Sequence, residues 1–222
     1  MSHGLFGKLP AKRDFVAFDL PSGVLRPWES WLQGAMATSR HVLGADWTAT
    51  FLKAPIWRFW CGASVLGGPV LGALMPSVDG VGRYFPLSVV AVAEAGTHFA
   101  PPATDSRAAH FAALEELMLS ALDPALDVDA FRQSLRALDP PAAMAGAPAC
   151  AADMFAAAGA DLDAALGEAQ GRATAAALED LSLWWTIGGE GYPPAAFAAR
   201  GLPSPAAFAA MLAGLVAAEA AP

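Results

Sequence analysis

Cysteine is nearly missing from this chain. Cys61 and Cys150 are the two it has. They lie far apart, and neither belongs to a C-x-x-C pair, which argues against a disulfide scaffold and fits reduced thiols in the cytoplasm. Long apolar runs are missing too. No stretch of about 18 strongly apolar residues occurs, so no helix is expected to span a membrane. The start, Met1 to Lys8, lacks the charge-then-apolar pattern of a secretion signal. Histidine is sparse: His3, His41, His98 and His110 show no metal-ligand spacing, and no H-E-x-x-H occurs. No metal or cofactor is expected. There is no G-x-S-x-G elbow. Gly80-Val81-Gly82-Arg83 lacks the G-K-[ST] ending of a phosphate-binding loop and opens a strand rather than a helix.

Basic charge is scarce in the second half. The net charge is −8, but residues 1–100 hold eight Lys/Arg against six Asp/Glu, whereas residues 101–222 hold five against fifteen. An acidic second half argues against nucleic acid and fits a solvated helical surface or a basic protein partner. At 222 residues the chain reads as one large domain. Its hydrophobic content is 55%, much of it alanine, so seven Trp and twelve Phe must supply the dense packing.

What is present falls into a clear order. Leu5 to Leu9 and Phe15 to Leu20 read as strands around a charged turn holding Lys8, Lys12, Arg13 and Asp14. Pro27 suits a first helical position, and Trp28, Trp31, Leu32, Ala35, Met36, Ser39, Val42 and Leu43 recur at helical spacing up to Gly44. Such a Trp/Met stripe reads as core rather than a cofactor box. Asp46 is placed to cap a short helix over Trp47 to Leu52, which Pro55 closes. Ile56 to Cys61, Val70 to Met75 and Phe85 to Ala93 read as three strands of an antiparallel meander.

Ser106 and Asp127 or Asp129 are candidate caps for two helices. The first carries Phe111, Leu114, Leu117, Met118, Ala121 and Leu122 on its buried side. The second carries Phe131, Leu135 and Leu138. Glycines and Pro148 should divide the alanine-rich stretch 142–177 into short helices. Leu181 to Ile187 reads as a last strand, and Ser204-Pro205 starts a terminal helix.

Strands and helices are partly segregated, so the fold class is α+β. The expectation is a central, mainly antiparallel sheet of about five or six strands flanked by helices, with an α-helical C-terminal part. The first seven elements have the order seen in longin- and roadblock-like domains. One domain over 1–222 is expected: a strand-rich core (1–100), an acidic Ala-rich helical part (101–180), and a final strand and helix (181–222).

The most specified stretch runs from Met75 to Leu87. Gly80 and Gly82 permit positive φ, Pro76 and Pro86 fix φ, Asp79 can form an Asx turn, and Arg83 adds a five-donor fork. Asp79 and Arg83 either brace this turn or serve a function. Arg58, between Trp57 and Phe59, needs a partner, expected to be a carboxylate or loop carbonyls near Asp14 or Asp79. Asp14 and Asp79 are also the remaining candidates for paired acid–base work, although a structural ion pair, Asp79 with Arg83 or Asp14 with Arg58, is the favoured reading.

Three stretches together resemble the TagF family, also called ImpM, of bacterial type VI secretion systems. The first is Gly4-Leu5-Phe6-Gly7-Lys8-Leu9-Pro10 followed by Asp14-Phe15 and then Trp28 and Trp31-Leu32, where Arg13 replaces the glycine more usual before the Asp. The second is Ala54-Pro55-Ile56-Trp57-Arg58-Phe59. The third is Pro76-Ser77-Val78-Asp79-Gly80-Val81-Gly82-Arg83-Tyr84-Phe85-Pro86-Leu87. Trp184-Trp185 and Gly201-Leu202-Pro203 look like the family's ending.

The resemblance implies a non-enzymatic cytoplasmic accessory protein that negatively regulates type VI secretion after translation. The implied partners are the forkhead-associated scaffold protein and the membrane core complex of the system. It supplies no catalytic residues. On the residues alone, Lys12, Arg13, Asp79, Arg83 and Tyr84 are expected at one end of the sheet as partner-binding groups. The alternative is a small hydrolase or ligand-binding enzyme using Asp14, Asp79 and Arg83.

Overall fold

The computed structural model describes residues 3–102, 107–145 and 161–214. The chain begins with β1 (His3–Gly7) and β2 (Val16–Phe18), then α1 (Ser22–Leu43), a 3-10 turn (Gly44–Asp46) and α2 (Trp47–Lys53). Next come β3 (Trp57–Cys61), β4 (Val70–Met75), β5 (Leu87–Val92) and the short β6 (Thr97–His98). After them follow α3 (Ala108–Ser120), α4 (Val128–Ala137), β7 (Met144–Ala145), α5 (Leu162–Ala177), β8 (Leu181–Thr186), β9 (Ala195–Arg200) and α6 (Pro205–Ala213). Seven strands form one sheet in the order β2-β1-β5-β4-β3-β8-β9, with every pair antiparallel. The short β6 and β7 pair apart from it.

The meander β3-β4-β5 forms as its apolar runs require. These strands sit at the middle of the sheet and are buried on both faces, so they read as near-continuous apolar runs rather than alternating ones. One face, with Phe6, Trp57, Phe59, Cys61, Leu74 and Val90, packs against α1, α2 and α6. The other, with Leu5, Trp60, Leu71, Val89 and Ala91, packs against α3 and α4. The α1 stripe is core except at Val42, which is exposed near the helix end: Trp28 lies 4.7 Å from the Phe59 ring centroid and 6.1 Å from that of Trp184. Trp28, Trp31, Trp47, Trp57, Trp60 and Trp184 all donate their indole N–H to a hydroxyl or a carbonyl, as buried tryptophans must.

The structure corrects the sequence reading at several points. The sheet has a seventh strand, β9, where no strand was expected, so the C-terminal part adds a hairpin to the sheet as well as helices. Helix α1 starts at Ser22, five residues early, because the Pro21 carbonyl accepts from the N–H groups of Val24 and Leu25 at 3.0 and 2.9 Å. Pro27 thus lies inside the helix, where it forgoes one intrahelical bond. Asp46 precedes α2 but makes no side-chain cap. Gly167 and Gly171 do not interrupt α5. Leu122, past the end of α3, is exposed. Asp127 does cap α4, accepting from the N–H groups of Asp129 and Ala130. Ser106, Pro148 and Cys150 lie outside the described residues. Cys61 is buried in β3, and burial pushes its thiol pKa up, so it stays protonated and inert.

Candidate docking site at one end of the sheet

Strands β1, β5 and β4 are neighbours in the sheet. The turn that follows β1 and the loop joining β4 to β5 therefore emerge at the same end. The loop closes on itself through a bridge between Val78 and Tyr84, with Phe85 N–H donating to the Ser77 carbonyl at 3.1 Å.

Asp79 is the centre of this end, and its side chain has no exposure to solvent. One carboxylate oxygen accepts from Lys8 Nζ and from Arg83 Nε, each at 2.7 Å. The other accepts from the backbone N–H groups of Val81 and Arg83 at 3.1 and 2.9 Å. Burial alone would push the Asp79 carboxyl up. The bonds from Lys8, from the Arg83 backbone and guanidinium, and from Val81 outweigh it and hold the carboxyl well below the usual range.

The loop is stitched to the turn by further bonds. Ser77 Oγ donates to the Lys8 carbonyl at 2.7 Å. Gly80 N–H donates to the Lys12 carbonyl at 2.7 Å. A second Arg83 nitrogen donates to the Arg13 carbonyl. Only Gly82 of the two expected glycines uses positive φ, at 84°. Gly80 is required for closeness instead: a Cβ there would lie 2.9 Å from the Pro10 carbonyl oxygen.

The structure places Lys12, Arg13, Asp79 and Arg83 side by side, with Lys12, Arg13 and Arg83 exposed and Asp79 buried beneath them, out of reach of a partner. Asp14 is exposed, and its carboxylate accepts from the N–H of Phe15. Tyr84 is half-buried, with its ring edge-on to Trp47 and Phe51 at 5.8 and 6.1 Å, so much of its ring is used in packing. Phe15, 42% exposed, rests edge-on against Phe85 at 4.9 Å.

A model of the TagF N-terminal domain, described as type VI secretion system-associated, matches residues 4–138. The chain belongs to the TagF family. A solved relative, the crystal structure of PA0076 from Pseudomonas aeruginosa PAO1, superposes with a TM-score of 0.83 at 31% identity, covering 96% of this chain and 94% of that one. No curated protein matches. The matched region of this TagF-type domain contains the whole Asp79 cluster, and the protein is type VI secretion-associated.

Arg58 of this TagF-type chain lies elsewhere. It pairs with neither Asp14 nor Asp79. Its side chain points to the α3 face of the sheet and makes a two-pronged pair with Glu115, at 2.6 Å from Nε and 3.0 Å from a terminal nitrogen. The Phe111 ring lies under the guanidinium, 5.1 Å away. The strand register decides this: Trp57 and Phe59 face α1, so the residue between them faces α3.

Three functional-looking groups escaped the sequence reading. Lys8 reads as part of a solvated turn but is buried against Asp79. Glu115, on α3, stands in no motif of the sequence. Asp19, at φ 58°, is clasped by Arg132 and Arg136 of α4. Those two guanidinium groups hold its carboxyl well below the usual range. Of the three, only Lys8 gave a signal, as a lone cation ending an otherwise apolar strand.

Proposed function

We propose that this protein is a non-enzymatic accessory component that negatively regulates type VI secretion after translation by docking on parts of the system. The forkhead-associated scaffold protein and the membrane core complex are the intended partners, met in the cytoplasm. The observation that carries the reading is the buried Asp79. It locks the 76–86 loop onto the 8–14 turn and so fixes Lys12, Arg13 and Arg83 on one rigid outer surface. Multivalent polar groups on firm support are what binding hot spots need.

The same geometry weighs against an enzyme built on Asp14, Asp79 and Arg83. The Asp79 oxygens are occupied by four donors and shielded from water, so neither is poised to take a proton from a substrate. A cavity of about 560 Å³ is found away from these residues, lined by Arg107, His110, Leu138, Asp139 and neighbouring residues. No helix among the described residues is long and apolar enough to cross a membrane.

The test is co-purification. Arg13→Ala/Arg83→Ala, shown by circular dichroism to be folded, is expected to recover much less scaffold protein and core complex than the wild type. Equal recovery would leave the loop as a structural turn only.

A further inference from the structure

We infer that the outer surface around the 8–14 turn receives an acidic protein segment with apolar side chains interspersed; this rests on the docking role proposed above and names the chemistry of its partner. The charge distribution is the first observation. The whole chain is acidic, at −8. The 8–14 turn, the 76–86 loop and Arg40 are nonetheless a positive island: Lys8, Lys12, Arg13, Arg40 and Arg83 against Asp14 and Asp79. Arg40 joins the cluster by donating to the Tyr84 carbonyl at 3.4 Å while stacking 4.5 Å over Trp47.

The second observation is where the charge goes. Asp79 is answered internally by Lys8 and Arg83. The side chains of Lys12 and Arg13 meet no carboxylate among the described residues, although both stand on a turn held by three backbone carbonyl contacts. Cations held close together and left without counter-charges raise the local potential and attract an anionic chain.

The third observation selects a peptide over a bare polyanion. Phe15, directly after the 8–14 turn, and Val81, in the 76–86 loop, are 42% and 55% exposed beside the cations. Lys8 Nζ lies 4.9 Å over the Phe15 ring, so this aromatic is held in place rather than free to turn away. Apolar groups beside cations fit carboxylates alternating with Leu or Phe, where the apolar side chains give the contact its fit.

The experiment uses the full chain and a fluorescein-labelled peptide of alternating Asp/Glu and Leu, about twelve residues long, read by anisotropy. The Lys12→Glu/Arg13→Glu variant touches only exposed side chains and should keep the fold. The acidic peptide is expected to bind at least about tenfold more tightly than its Asn/Gln counterpart, and the variant to lose about as much. Raising salt from about 50 to about 300 mM should weaken binding. Equal binding of the Asn/Gln peptide, or wild-type affinity in the variant, overturns the inference. So does equally tight binding of single-stranded DNA of the same length, which would mark a general polyanion surface. The outcome is independent of the co-purification test. Partner recovery lost in Arg13→Ala/Arg83→Ala with no preference for the acidic peptide would leave the docking role standing and remove only the acidic-segment chemistry.

Discussion

Lys8 and Arg83 hold the same carboxylate from opposite environments, and the difference sets how much each contributes. The Lys8 side chain is 6% exposed, the Arg83 side chain 57%. Removing a buried partner strands a buried charge, so Lys8→Ala should destabilise the protein by about 3 kcal/mol. Removing the solvent-screened partner, Arg83→Ala, should cost about 1 kcal/mol or less. Urea denaturation of both variants checks the order; equal losses would mean that Asp79 does not depend on its buried cation. His3 supplies a second residue-scale expectation. It is buried, stacks 5.3 Å from His110, and its pKa is lowered from 6.5 to about 4 by burial and by the neighbouring imidazole. A histidine held neutral in the fold binds a proton more readily when unfolded. Its contribution is complete above the ordinary histidine range and is lost as pH falls from there towards about 4. His3→Phe, which does not titrate, should make the melting temperature fall less steeply over that window. An unchanged slope would mean His3 is not buried neutral.

Between elements, the pair of Arg58 on β3 and Glu115 on α3 ties the sheet to the helix across 57 positions of chain. Both side chains are largely buried, at 9% and 14% exposure. Arg58→Ala should cost about 3 kcal/mol, and the pair Arg58→Met/Glu115→Leu should recover much of that, because an apolar pair leaves no stranded charge. A double-mutant cycle with no coupling would contradict the contact. This pair also shows where reading a sequence stops. That Arg58 needs a polar partner follows from burial, but which partner it finds depends on the face the strand turns to α3. Elements with large side chains were legible: the α1 stripe and the β3-β4-β5 meander carry Trp, Phe, Leu and Val at the spacing their burial demands. Strand β9 was not, because Ala195, Ala196, Ala198 and Ala199 around Phe197 give no apolar alternation, and only pairing with β8 makes them a strand. The Asp79 loop was legible as a specified turn, and its Asp–Arg contact came with it. Lys8 was legible only in part: a lone cation at the end of an apolar run is a signal, but nothing local says that it is turned inwards.

At the scale of the whole molecule, the sheet order does the work of assembly. Placing β1 beside β5 and β5 beside β4 brings two loops about seventy positions apart in sequence to one end, and helices pack on both faces of the sheet that carries it. In the docking role proposed above, this end carries the regulatory contact. It is tested most directly by measuring type VI substrate released into the medium by cells that overproduce either the wild type or Arg13→Ala/Arg83→Ala at matched levels. The wild type is expected to suppress release, and the folded double variant to restore it towards the level of cells without the extra protein. Suppression by the double variant as strong as that by the wild type would contradict that role.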